Sequence, residues 1–273
     1  MKTRFALTLM ALLPILVACK AQDGSSDTAP APAPAAETAT APAATPATDA
    51  AAPPAVGESA NAPATDTAAA PPAPAPRAPN GPEPVAGTDY LDIEGGQPYQ
   101  QAAGKIEVAE VFGYVCPACN AFQPLIGPWK AGLPSDVHFV YVPAMFGGPW
   151  DDYARAFYAA ETLGVQEKTH DALYKAIHVD QSLKGERGKD SVQDIAGFYA
   201  KCGVDSKTFI DTMSSFGVSA KTNRAKQFAT RSKITGTPSL IVNGKYLVKG
   251  QSFPDMLRIA DHLIARERAT LAK

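Results

Sequence analysis

Apolar residues recur along this chain with three spacings. They are nearly continuous from Phe5 to Ala18, almost all alanine from Ala21 to Pro84, and periodic from about Tyr90 onward. The periodic part holds the predicted elements, with order beginning near Val85. Tyr90, Leu91, Ile93 and Tyr99 suit an edge strand or a packed lead-in loop. A β-forming run from Lys105 to Val115 follows, with Ile106, Val108, Glu110, Phe112 and Tyr114 on one period-2 face. Glu110 is the odd member of that row, since a surface carboxylate belongs on the opposite face with Lys105 and Glu107. The spacing turns helical after Pro117, with Phe122, Leu125, Ile126 and Trp129 on one side.

Val137 to Val142 reads as a second strand, and Pro143 to Pro149 as a loop. Residues 150–233 are helical in pattern. Asp151 and Asp152 suit a helix start ahead of the stripe Tyr153, Ala156, Phe157, Ala160 and Leu163, and Leu173 and Ile177 continue the pattern. Ser191-x-x-Asp194 resembles a capping box and opens a helix carrying Val192, Ile195 and Tyr199. Lys207 to Lys233 accommodates one or two more helices. The chain returns to strand over Ser239 to Val242, turns at Asn243-Gly244, a pair suited to a tight hairpin, and continues over Tyr246 to Val248. Ser252 caps a last amphipathic helix with Phe253, Met256, Leu257, Ala260, Leu263 and Ile264 inward.

Candidate chemistry lies where the first long strand meets the first helix. Pro117 has no N–H to lose and a fixed φ, so it suits the first helical position and leaves Cys116 at the junction. A thiol there faces the end of the helix dipole that stabilises anions and lowers its pKa. Cys119 follows one turn later on the same side, near enough to close a small disulfide ring. A Cys-x-x-Cys pair on a strand–helix unit reads as a redox site. The competing reading is half of a zinc site, which needs about four ligands. The chain has no second Cys-x-x-Cys and no His-x-x-His pair.

Charge and composition add a second region to this picture. A formal net charge of -2 argues against a nucleic-acid partner. Residues 20–84 carry seven acids against Lys20 and Arg77, so the periodic part is nearly neutral. Lys2 and Arg4 precede the apolar stretch that ends at Cys19, which reads as an export signal, too short for a typical membrane span. Leu16-Val17-Ala18-Cys19 resembles the lipobox of bacterial lipoproteins, implying cleavage after residue 18 and lipid on Cys19. The alternative is ordinary cleavage a few residues on, but no Ala-x-Ala site is present there. A multiply acylated Cys19 is a firm membrane anchor. The compartment beyond that membrane is oxidising, which suits a working disulfide. Residues 19–84 then form a disordered Ala/Pro-rich linker: Val56 is their only large aliphatic side chain, and prolines interrupt any alanine helix.

The order strand, redox helix, strand, helical block, antiparallel hairpin, helix, together with Cys116-Pro-Ala-Cys119 and Thr237-Pro238, resembles the thioredoxin fold. The helical block at about residues 146–233 narrows the resemblance to the DsbA family of periplasmic thiol:disulfide oxidoreductases. The expected architecture is therefore α/β, a thioredoxin fold with an inserted helical domain over residues 85–273. The resemblance implies a resting Cys116–Cys119 disulfide and no added cofactor or metal. It also implies clients that are unfolded exported proteins with free thiols, and recharging by a quinone-linked membrane oxidase of the DsbB type. By the same resemblance Thr237-Pro238 is the cis-proline loop that presents backbone groups to the client, and Glu110 is the buried acid that shuttles a proton for Cys119. A reductase or isomerase using the same cysteines, or a non-catalytic client-binding module, are the other functions considered. Isomerases of the DsbC type usually carry a folded N-terminal dimerisation domain, which residues 20–84 cannot supply.

Two residues depart from the best-known oxidases. Ala118 stands where many carry His, and Thr237 where valine is frequent. Cys202 continues the stripe of Tyr199 and is expected as a buried, inert thiol. His138, His170, His178 and His262 show no metal spacing and are expected on the surface or in packing.

Overall fold

A computed structural model describes residue 75 and residues 78–272. The export signal, Cys19 and the linker as far as residue 74 lie outside the described residues. The described chain runs β1 (Tyr90–Asp92), β2 (Ile106–Phe112), α1 (Pro117–Ala131), β3 (Val137–Pro143), α2 (Pro149–Thr162), α3 (Gln166–His178), α4 (Val192–Lys201), α5 (Ser206–Ser214), α6 (Phe216–Arg231), β4 (Ser239–Val242), β5 (Tyr246–Val248) and α7 (Phe253–Leu271). One mixed sheet has the order β1-β5-β4-β2-β3. β2 pairs parallel with β3 and antiparallel with β4, and β5 and β1 complete the sheet in antiparallel pairs. This is the thioredoxin arrangement, with the five helices α2 to α6 entering between β3 and β4.

β2 is central, and every one of its seven residues is buried. Its Ile106 and Val108 pack with Phe122, Ile126 and Trp129 of α1 and with Ile259, Ala260, Leu263 and Ile264 of α7. Ala109 and Val111 belong instead to the larger cluster formed with the inserted helices. The sheet is thus covered on both faces, and that corrects the expectation for Glu107. The residue is 2% exposed, because its carboxylate accepts from the backbone N–H groups of Tyr99 and Gln100 and so pins the lead-in loop.

The strand stops at Phe112, short of the expected Val115. Cys116 N–H donates to Gly113 O at 3.1 Å, closing a turn that leads into α1. Gly113 allows this because Trp150 lies against it, where a Cβ would come within 2.2 Å of the indole ring. The hairpin turn is as expected, with Asn243 and Gly244 both at positive φ. Ser191 and Asp194 form the full reciprocal capping box, and Ser252 caps α7.

Cys202 is exposed rather than buried. α4 ends at Lys201, so Cys202 is the capping residue and no longer follows the helical stripe of Ile195 and Tyr199. Ahead of β1, residues 80–83 lie along α7. Arg258 donates to Pro82 O, His262 pairs with Asn80 O at 3.0 Å, and Arg266 reaches Glu83 at 3.2 Å.

Candidate active site

The turn after β2 delivers Cys116 as the N-cap of α1, and Pro117 fills the first helical position. An N-cap side chain normally accepts from the backbone N–H groups of the first turn. Here the acceptor is sulfur: Cys119 N–H donates to Cys116 Sγ at 3.3 Å. Both cysteines are free thiols in this structure. The Cys116 pKa is lowered from 9.0 to about 6. The Cys119 side chain contributes most, burial opposes it, and Thr237 and the N–H groups of Cys119 and Ala118 assist. Cys119 behaves oppositely. It is wholly buried, and burial, then the neighbouring Cys116 and Glu110, push its thiol far above the usual range. One sulfur is prepared to be a thiolate and the other to hold its proton.

The loop before β4 closes over this pair. The Thr237–Pro238 peptide is cis, and Cys116 Sγ lies 3.6 Å from Thr237 O. Thr237 and Pro238 are half-buried, so a backbone edge beside the reactive sulfur remains accessible.

Beneath the pair, Glu110 is 0% exposed, and neither carboxylate oxygen has a hydrogen-bond partner. Burial raises its pKa to about 8, opposed by the charge of Lys130 and reinforced by Cys116. The four sequence-predicted residues Cys116, Cys119, Thr237 and Pro238 therefore meet at one place, with Glu110 coupled to both sulfurs from below.

Sequence reasoning missed the side chains around Glu110. Tyr141 of β3 stands in register with it. His170 and Tyr174 of α3 are buried beside Phe112 and Tyr114, and His170 Nδ1 meets Tyr114 Oη at 2.9 Å. Burial and the Lys130 charge lower the His170 pKa to about 3, so the ring is neutral. A signal for Lys130 was available: it lies seven residues after Gln123 on α1, beside the apolar stripe. Among the described residues no group of three or more His, Cys, Asp or Glu is placed to hold a metal ion.

A Cys-x-x-Cys pair capping the first helix of this sheet, opposite a cis-proline loop, defines a thioredoxin-fold thiol:disulfide oxidoreductase. The comparisons make the class narrower. Residues 135–260 match the family model of the DSBA-like thioredoxin domain. The thiol:disulfide interchange protein DsbA of Pseudomonas aeruginosa strain PAO1 is 39% identical over 191 residues, spanning 69% of this chain and 88% of that protein. Its namesake in Pseudomonas syringae pv. tomato is 42% identical over 187 residues, spanning 67% and 85%. The crystal structure of the oxidoreductase DsbA from Xylella fastidiosa superposes with a TM-score of 0.66 at 43% identity, covering 68% of this chain and 98% of that one. The chain belongs to the DsbA family of thiol:disulfide interchange proteins.

Proposed function

We propose that this protein oxidises cysteine pairs in exported proteins, using the Cys116–Cys119 disulfide as its oxidant. A client thiolate attacks Cys116 Sγ, the Cys116–Cys119 bond breaks, and Cys119 leaves with a proton supplied by Glu110. A second client thiolate attacks the client sulfur of the mixed disulfide. The client bond forms, and Cys116 leaves as a thiolate. Two electrons have then passed from the client to the enzyme, and a disulfide-bearing membrane oxidase of the DsbB type takes them away. No group other than the chain's own cysteines carries electrons. Thr237 and Pro238 offer backbone groups to the client strand.

The observation that carries this direction of transfer is the Cys116 sulfur at the N-cap, where helix and N–H groups favour its thiolate. A stabilised thiolate is a good leaving group and makes the reduced enzyme the favoured one, so the disulfide is oxidising. The deciding measurement is the reduction potential of the pair against glutathione. An oxidase requires a value above roughly −200 mV, and one below about −250 mV would identify a reductase. Cys119→Ser is expected to accumulate mixed disulfides with clients, because nothing internal resolves them, while Cys116→Ser forms none.

The proposed setting is the periplasm, with the chain held to a membrane through lipid on Cys19. Support comes from the Lys2/Arg4 start, the apolar stretch and the Leu16-to-Cys19 pattern. The acidic Ala/Pro-rich linker of residues 19–84, whose last residues 80–83 already lie along α7, then separates the anchor from the folded part. Cys19→Ser is expected to leave exchange rates intact and move the protein to the soluble fraction; retention on membranes would remove the anchor from the proposal.

A further inference from the structure

Among the described residues six buried side-chain polar atoms lack a hydrogen-bond partner; Tyr199 Oη lies on α4, and the other five belong to β2, α1 and α3. Besides both oxygens of Glu110, they include Gln123 Nε2 on α1 and His170 Nε2 and Tyr174 Oη on α3. Such groups are costly in a dry core unless water reaches them. A groove of about 710 Å³ between α1 and α3 reaches two of these residues, Gln123 and Tyr174, and is also lined by Lys130 and Asp171.

Lys130 stands at the edge of this groove in the last turn of α1. Its Nζ lies 3.4 Å from Tyr141 Oη and 4.8 Å from the centre of that ring, with Phe139 further back at 5.7 Å. Tyr141 is the register partner of Glu110 on the neighbouring parallel strand, so the two side chains share a face of the sheet. The ammonium is therefore held one side chain away from the carboxylate. Lys130 also borders a second cavity of about 400 Å³, which Tyr141 lines as well.

The other ionisable groups on this side do not substitute for it. α1 supplies Cys116, whose negative charge raises the proton affinity of Glu110, and Cys119, whose own thiol is pushed upward by burial and then by Cys116 and Glu110. β3 supplies Tyr141, whose phenol is pushed upward by burial and then by Glu110. α3 supplies His170, which burial keeps neutral, Tyr174, raised by burial, and the acids Glu167 and Asp171, while Glu161 of α2 is paired with Lys221 at 2.8 Å. Lys175 lies in the groove but is paired with Asp180 at 2.5 Å. α7 supplies Glu267, whose carboxylate is taken up by Asn243, Lys245 and Tyr246.

We propose that Lys130 is a positioning residue for the Glu110 proton relay: its ammonium, held over Tyr141, is the counter-charge that lets Glu110 give up its proton, and the α1–α3 groove is the route by which that proton reaches solvent. The inference rests on the reading of Glu110 as the acid that serves Cys119. Its effect falls on one half of the cycle. When the enzyme is recharged, Cys119 Sγ attacks Cys116 Sγ of a mixed disulfide, the outer sulfur leaves as a thiolate, and the Cys119 proton must be taken by an ionised carboxylate. When a client is oxidised, Cys119 leaves and Glu110 must instead be protonated. Without Lys130 the acid stays protonated to higher pH. Recharging then slows at neutral pH, while client oxidation keeps its proton donor.

The test is ring closure of the Cys116–glutathione mixed disulfide, followed from roughly pH 5 to pH 10, around the ordinary carboxylate and thiol ranges. Wild type, Lys130→Met, Lys130→Arg, Glu110→Gln and the Glu110→Gln/Lys130→Met double variant are compared. Lys130→Met is expected to move the rising limb of the rate profile alkaline by about half to one pH unit, a roughly three- to tenfold loss near pH 7. Lys130→Arg should restore the wild-type profile, and the double variant should match Glu110→Gln. An unmoved profile in Lys130→Met, with Glu110→Gln slowed, overturns the inference and leaves the Glu110 reading standing. A wild-type profile in Glu110→Gln overturns both. An equal displacement in the Glu110→Gln background would mean that the lysine acts on the thiols directly, which also overturns the inference.

Discussion

At the scale of single residues, Cys116 and Cys119 differ by environment alone, since both are thiols on the same helix turn. Cys116 has its pKa lowered to about 6 against an ordinary 9.0. A lowered native pKa stabilises the reduced fold fully above pH 9, and the benefit is lost as pH falls through 6. The disulfide form has no such group. Reduced protein is therefore expected to melt above oxidised protein at pH 8, by roughly 2–5 °C after discounting for solvent at the sulfur. The gap should close toward pH 5, and thiolate absorbance should titrate near pH 6; a constant gap across that range would contradict the account. Ala118 is exposed beside this sulfur. Ala118→His is expected to lower the titration midpoint further and make the pair more oxidising, because an imidazolium there adds to the N–H groups already present. Glu110 was visible in the sequence as a carboxylate in an apolar row. Glu107 was misjudged on the opposite face of the same strand, because alternation reports one buried face only when the other is wet. A central strand between two helical layers has no wet face, and neighbours in the chain do not reveal that.

At the scale of elements, the legible features were those with local causes. Pro117 after Cys116, the Asn243-Gly244 turn, the Ser191/Asp194 box and the Ser252 cap each act within a few residues, and all were found as expected. The end of β2 was not legible, because Tyr114 and Val115 are good strand formers. The strand gives way to a turn at Gly113, where Trp150 of α2 occupies the space that a side chain would need. Its indole also donates to Glu186 at 2.8 Å and packs against the half-exposed Phe146. Gly113→Ala would place a methyl group 2.2 Å from the ring. The expected cost is about 1–3 kcal/mol in denaturant unfolding, with slower exchange as the turn bearing Cys116 shifts. Cys202 failed for the related reason that a helix end moved it off the stripe.

At the scale of the whole molecule, the inserted helices and the sheet are joined through the lead-in loop. Arg224 of α6 donates to Tyr99 O and lies 4.7 Å from the Tyr99 ring, whose hydroxyl meets Tyr158 of α2 at 2.8 Å. Arg224→Met removes a charged donor and a cation–π contact at an exposed position. It is expected to cost about 1 kcal/mol of stability while leaving the Cys116 titration unchanged. A displaced titration would show that the latch reaches the cysteines. The general order of elements was enough to suggest the architecture, but such long-range fastenings leave no mark in any short stretch of sequence.

The segment at residues 80–83 has a mechanical consequence. Its three attachments come from Arg258, His262 and Arg266, spaced one helical turn apart along α7. A pull on the chain ahead of residue 80 would load these bonds together, against α7. The edge strand β1 and the turn that carries Cys116 lie downstream of those bonds. Force arriving from the N-terminal side would be spent on the back of α7 before any of it could strain the cysteine pair.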